Sequence, residues 1–196
     1  YQERVLENAQ KYLQDKRLHI VAAPGSGKTT LGIELIRRLG EPCLILSPSI
    51  TIRQQWLERI VSGFLTAEYR PEEILSNDLK DMKAVTAVTY QALYSAMKHY
   101  RGELSAGEEE EAEEKETEEK EDRDTEKVDF RDFDIFKAVQ AAGVRTICLD
   151  EAHHLRSEWW KALEAFMKEM KEVTVISLTA TPPYDSTPGQ WKRYID

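Results

Sequence analysis

Short aliphatic runs alternate with longer amphipathic ones along most of this chain. Residues 17–22, 43–46, 84–89, 144–149 and 173–178 are each four to six residues long and rich in Val, Ile, Leu, Cys and Thr. Runs this short, bounded by Gly, Pro or charge, predict strands buried on both faces. Between them the apolar spacing changes to three and four. Residues 2–14 carry Val5, Leu6, Ala9 and Leu13 on one stripe; 30–40 carry Leu31, Leu35 and Leu39; 50–61 carry Ile52, Trp56, Leu57 and Ile60. These predict amphipathic helices, as do 91–99, 131–142 and 157–171, the last with Ser157 as its cap and the first two of the later helices closing near His99 and Gly143. The stretch 63–83 is less regular and predicts only a short helix after Pro71. Strand and helix in strict alternation argue for a parallel sheet covered on both sides.

One segment breaks the rhythm. Residues 102–127 hold 14 acidic and 4 basic side chains and, before Val128, no aliphatic side chain larger than alanine except Leu104. Glu–Lys pairs four apart, such as Glu111–Lys115, favour transient helix, but there is no face to bury. The plain expectation is a solvated, disordered insert; a nucleic-acid mimic shielding a binding face is a functional use for it. The charge of the chain, −9, sits almost wholly in this segment: the rest holds 22 acidic and 23 basic residues, or +1. A near-neutral body gives no electrostatic argument for nucleic acid, although contacts through amides and hydroxyls do not need one. With 196 residues, 41% of them hydrophobic, the chain is expected to be one domain around one core. No apolar run spans a bilayer, and no membrane partner is expected. Cys43 and Cys148 fall in buried strands and read as reduced core residues, in keeping with a cytoplasmic setting.

Two runs carry chemistry. In Ala22-Ala23-Pro24-Gly25-Ser26-Gly27-Lys28-Thr29-Thr30, a strand gives way to a loop and then a helix. Gly25, Ser26 and Gly27 let backbone N–H groups converge on a phosphate at a helix N-terminus. Lys28 supplies a point charge to the β- and γ-phosphates, and Thr29 a hydroxyl to magnesium. Asp150-Glu151-Ala152-His153 follows a strand, at the crevice where open α/β sheets bind ligands. Acidic residues also gather at helix N-termini for the dipole. Beside a phosphate loop the pair is better suited to magnesium (Asp150) and to an attacking water (Glu151). His153 and His154 are adjacent and cannot share a metal by helical spacing. A third run, Thr179-Ala180-Thr181-Pro182, ends a strand; its hydroxyls are in reach of His153 or the acidic pair, although β propensity and a proline turn would also produce it.

In this order the runs resemble the first motor domain of a superfamily 2 DEAD/DEAH-box helicase or translocase. Residues 23–29 resemble motif I, Asp150–His153 motif II in its DEAH form, and Thr179–Thr181 motif III. Ser47, Pro48, Ser49 and Gln55 resemble the nucleic-acid-contacting motif Ia and its helix, and Thr89 and Tyr90 a later backbone-gripping motif. Tyr1-Gln2 is similar to the upstream Tyr-Gln of the restriction-subunit and DNA-repair branch, whose glutamine reads adenine. The resemblance implies a P-loop NTPase, RecA-like fold, a three-layer α/β/α arrangement with a mainly parallel central sheet. It implies an ATP hydrolase using ATP and Mg2+, with Lys28, Asp150 and Glu151 catalytic. Gln2, Pro24, Gly25, Ser26, Gly27, Thr29 and Thr30 would bind nucleotide, and His153, Thr179 and Thr181 would couple it to nucleic acid, with DNA favoured over RNA. Such motors carry a second RecA-like domain, for which this chain has no room, so the expectation is half of an engine. The rival reading is an ATP-dependent switch or adaptor for a protein partner; a nuclease or methylase partner is not readable from these residues.

Overall fold

The structure, a computed structural model, describes residues 16–21, 23, 25–101, 128–152 and 155–180. The predicted helix over 2–14, the acidic segment 102–127, and Gln2, Pro24, His153 and Thr181 lie outside the described residues. Six strands are described: β1 (Arg17–Val21), β2 (Cys43–Ser47), β3 (Leu75–Ser76), β4 (Val85–Thr89), β5 (Thr146–Asp150) and β6 (Thr174–Thr179). Six helices accompany them: α1 (Lys28–Leu39), α2 (Ile50–Gly63), α3 (Pro71–Ile74), α4 (Tyr90–Arg101), α5 (Ile135–Ala141) and α6 (Ser157–Glu169). All neighbours in the sheet are parallel, in the order β1-β6-β5-β2-β4-β3.

Side chains on a strand alternate between faces, and the sequence of β2 splits accordingly. Cys43 and Ile45 join Cys148, Ile176 and Leu178 in one core, with Leu31, Leu35 and Ile36 of α1 and Trp56 and Ile60 of α2. Leu44 and Leu46 join Ile147, Leu149 and Val175 in the other, with Leu93 and Met97 of α4, Val139 of α5 and Phe166 of α6. Both faces of the sheet are thus covered, giving the expected three layers. In the second core Phe136 stacks on Phe166 at 5.8 Å between ring centres and meets Tyr100 edge-on at 4.9 Å. Burying side chains of this size contributes about 1.5–3 kcal/mol each, enough to hold helices that are short on their own.

Local chemistry sets the ends of the elements. Gly40 closes α1 in the left-handed region (φ 64°), its N–H donating to the carbonyl of Ile36 at 3.1 Å. Helix α5 starts later than the 131–142 expectation. Asp129 chelates the Arg131 guanidinium, Asp132 takes φ 60°, and Asp134 then caps the helix by accepting from the N–H groups of Phe136 (3.0 Å) and Lys137 (3.1 Å). Ser157 is not the cap of α6: the Arg156 carbonyl already accepts from the Trp160 N–H at 2.9 Å, so Arg156 caps it through backbone alone. The two-residue strand β3 was not expected within 63–83.

Residues 128–130 are tied back to the fold. The Lys80 ammonium contacts the Asp129 carbonyl and lies 5.7 Å over the Phe130 ring, which in turn sits 6.3 Å from His99. Lys80 precedes β4, and α4 runs back from the end of that strand. The flanks of the acidic segment therefore leave the fold at the amino-terminal edge of the sheet, opposite the carboxyl edge that bears the site.

Candidate nucleotide site

The carboxyl ends of β1, β5 and β6 lie side by side because β6 is sandwiched between the other two. After β1 the chain turns, with Gly25 at φ 76° and the Ser26 N–H donating to the Ala23 carbonyl at 3.1 Å. Gly27 sits at φ 85° and caps α1, and its carbonyl accepts from Leu31. Both positive φ values call for glycine. The expected helix over 30–40 begins at Lys28, so Lys28 and Thr29 occupy its first turn, where backbone N–H groups are unpaired within the helix. Chain neighbours aside, no described atom lies within 4 Å of the space a Cβ would take on Gly25, so there is open space beside the loop there.

Asp150 ends β5 on the same face as Cys148, the α1/α2 face, by the two-residue period. It is buried, at 7% exposure. Its Oδ2 accepts from the Trp56 indole N–H at 2.9 Å, and its carbonyl accepts from the Tyr90 hydroxyl at 3.0 Å. Burial pushes its carboxyl above the ordinary carboxylate range; the Trp56 N–H opposes this, the Glu151 charge adds to it, and Lys28 offsets part. A cation beside Asp150 would favour its ionised form.

Glu151 takes φ 50°, a left-handed backbone for a residue with a side chain, and its N–H donates to the Leu178 carbonyl at 2.9 Å. Such conformations cost about 1–3 kcal/mol and gather at functional sites. The carboxylate is thereby delivered to three partners. The Lys28 ammonium pairs with Oε1 across 123 residues of sequence. The Thr179 hydroxyl donates to Oε2 at 3.1 Å, and the Ala180 N–H donates to both oxygens at 2.9 and 3.1 Å. The loop, the acidic pair and the end of β6, far apart in the sequence, are one cluster.

The residues read as nucleic-acid contacts divide. Ser47 is fully buried, its hydroxyl donating to the carbonyls of Val88 (3.2 Å) and Ser49 (3.4 Å). Thr89 caps α4 by accepting from the Ala92 N–H at 3.2 Å. The Tyr90 ring is 1% exposed and its hydroxyl is on Asp150. These three side chains face inward and hold the fold. Pro48 and Gln55 are exposed, and Ser49 is half-buried and caps α2 through the Ile52 N–H at 3.2 Å. Trp56, which the sequence placed on the inward side of its helix and next to Gln55 in the motif Ia resemblance, was given no role at the acidic pair.

Residues 1–184 match the family described as the res subunit of type III restriction enzymes. The chain belongs to the type III restriction enzyme res-subunit family. The match is in keeping with the resemblance of the sequence to a first helicase-type domain. Over 89 residues, 45% of this chain, it is 30% identical to the DNA 3'-5' translocase XPB2 of Sulfurisphaera tokodaii, of which that span is 19%. The solved helicase domain of Pyrococcus furiosus Hef is similar in fold over the whole of this chain, with a TM-score of 0.58 at 20% identity, and 35% of that structure is covered. This member of the res-subunit family therefore spans about a third or less of these relatives' length. Among the described residues, no helix is long and apolar enough to cross a membrane.

The same residues suit magnesium. Among those described, no three His, Cys, Asp or Glu side chains converge, so an all-protein metal cage is not what they form. A single buried carboxylate beside a hydroxyl-bearing helix start matches magnesium's habit of taking one or two carboxylates plus phosphate and water.

Proposed function

We propose that this chain is the ATP-binding half of a DNA-directed motor. The observation that carries the reading is the meeting of Lys28, Glu151 and Thr179, from three separate elements, at the mouth of an open phosphate-type loop. ATP phosphates would lie on the N–H groups of residues 25–29, with Thr29 and Asp150 holding Mg2+. Held there, the ion would supply neutralisation of the phosphate charge. Lys28 would exchange its carboxylate partner for the phosphates, releasing Glu151 to orient a water and take its proton. Glu151 remains held by Thr179 and the Ala180 N–H, so its release from Lys28 is sensed at the end of β6, which supports Thr179 in a coupling role. Gln2, His153 and Thr181 keep the roles that the family resemblance gives them. DNA would be met by Pro48, Ser49 and Gln55 and by backbone at the ends of β2 and β4. A second RecA-like domain would complete the site.

Three measurements on the full-length protein test this. Lys28→Ala should lower ATP turnover about a hundredfold or more, the scale of losing one preorganised charge donor, while the fold survives. Glu151→Gln should keep ATP binding and lose turnover by about 10²–10⁴. Duplex DNA should raise the turnover of the wild type; turnover indifferent to DNA and RNA would favour the ATP-dependent switch instead.

A further inference from the structure

Trp56 lies in α2, far in sequence from both halves of the site, yet its one polar atom is spent on the site's aspartate. The indole is 0% exposed, and its N–H donates to Asp150 Oδ2 at 2.9 Å across 94 residues. An indole can only donate, so this bond forms only with an accepting oxygen and fixes which way the carboxylate turns. It engages Oδ2 and leaves Oδ1 as the oxygen it does not hold. The ring itself has no freedom to yield. It is wedged against α1 so closely that a Cβ on Gly32 would come within 2.7 Å of its Cη2. Below, the Tyr90 hydroxyl holds the backbone carbonyl of the same aspartate at 3.0 Å. Two aromatic donors, one from α2 and one from the start of α4, thus clamp one residue at its side chain and its main chain.

We propose that Trp56 is a positioning residue for the metal: its N–H holds the Asp150 carboxylate in the orientation that binds Mg2+. The inference rests on the assignment of Asp150 as the magnesium ligand. Phenylalanine would fill most of the same apolar space, so packing alone does not call for the N–H. Helix α2 begins at the Ser49 cap, directly after Ser47 and Pro48. A shift of α2 when that loop is engaged would therefore reach the metal carboxylate through one rigid ring.

The test separates metal binding from nucleotide binding. A fluorescent ADP is titrated onto the full-length protein in EDTA and then at rising Mg2+. Trp56→Phe should leave the metal-free ADP affinity within about twofold of wild type. The Mg2+ concentration giving half of the affinity gain should rise about tenfold or more, the scale of a hydrogen bond to a charged group. An unchanged Mg2+ half-point in a folded Trp56→Phe overturns the proposal. A wild type whose ADP affinity does not respond to Mg2+ overturns the assignment of the site itself, and this inference with it. Should the variant not fold, the wild type still decides. Of its four tryptophans, the one with the slowest-exchanging indole proton should shift its N–H resonance when Mg2+ joins bound ADP, and not with ADP in EDTA. No shift there overturns the proposal equally.

Discussion

Replacing Gly32 by alanine should destabilise the protein, against the usual sign of such a change inside a helix. Gly32 is the fifth residue of α1 and has an ordinary helical backbone, so alanine's propensity favours the variant by about 1 kcal/mol. Space opposes it. The new methyl would stand 2.7 Å from Trp56 Cη2 and 2.8 Å from Leu178 Cδ1, where carbon atoms prefer about 3.5–4.0 Å. Neither neighbour is a loose end: Trp56 is pinned to Asp150, and Leu178 is fully buried on β6. The helix would have to move off the sheet by most of an ångström, an overpacking that costs about 1–3 kcal/mol and strains the indole's bond to Asp150. The clash outweighs the propensity, and the net loss should be up to about 2 kcal/mol. For a chain of this size that lowers Tm by up to about 8 °C. Gly63 is the internal control. It ends α2 with nothing within 4 Å of its would-be Cβ, so Gly63→Ala should leave Tm unchanged or raise it slightly. Thermal unfolding followed by circular dichroism on both variants decides. A Gly32→Ala protein as stable as wild type, or more so, would refute the account of how α1 and α2 are packed.

Asp134→Ala should cost about 1 kcal/mol by leaving the Phe136 and Lys137 N–H groups of a seven-residue helix uncapped, and Asp134→Ser should restore most of it; urea midpoints measure both. Burial holds the thiols of Cys43 and Cys148 well above the ordinary value of 9.0, and both are free. Iodoacetamide at pH 8 should therefore label neither until the protein unfolds, and labelling within minutes under native conditions would contradict the buried strands. The same shift has a pH consequence. Above about pH 9 the unfolded thiols lose protons that the folded ones keep, so stability falls as pH rises. Cys43→Ala with Cys148→Ala should flatten that fall.

Much was legible in the residues because it is encoded locally. A four-to-six-residue aliphatic run, a Gly-Ser-Gly loop before a helix, and two carboxylates after a strand each announce themselves within a dozen residues. The α/β class and the phosphate-loop, acidic-pair and Thr179 motifs followed from such windows. Asp134 before Ile135 was also a readable cap signal, and reading the helix from 131 overlooked it. What no window contains is adjacency. Periodicity says that alternate residues of β5 face opposite ways, but not that α1 and α2 cover the face on which Asp150 lies. The order β1-β6-β5-β2-β4-β3 decided that Lys28 meets a glutamate 123 residues away and that an indole finds the neighbouring aspartate. It also decided that Ser47, Thr89 and Tyr90, polar and close to strand ends, turn their side chains inward to backbone partners. A polar side chain's partner is a property of the packed sheet, since the energy of leaving it unpaired is set by what surrounds it and not by what precedes it in the chain.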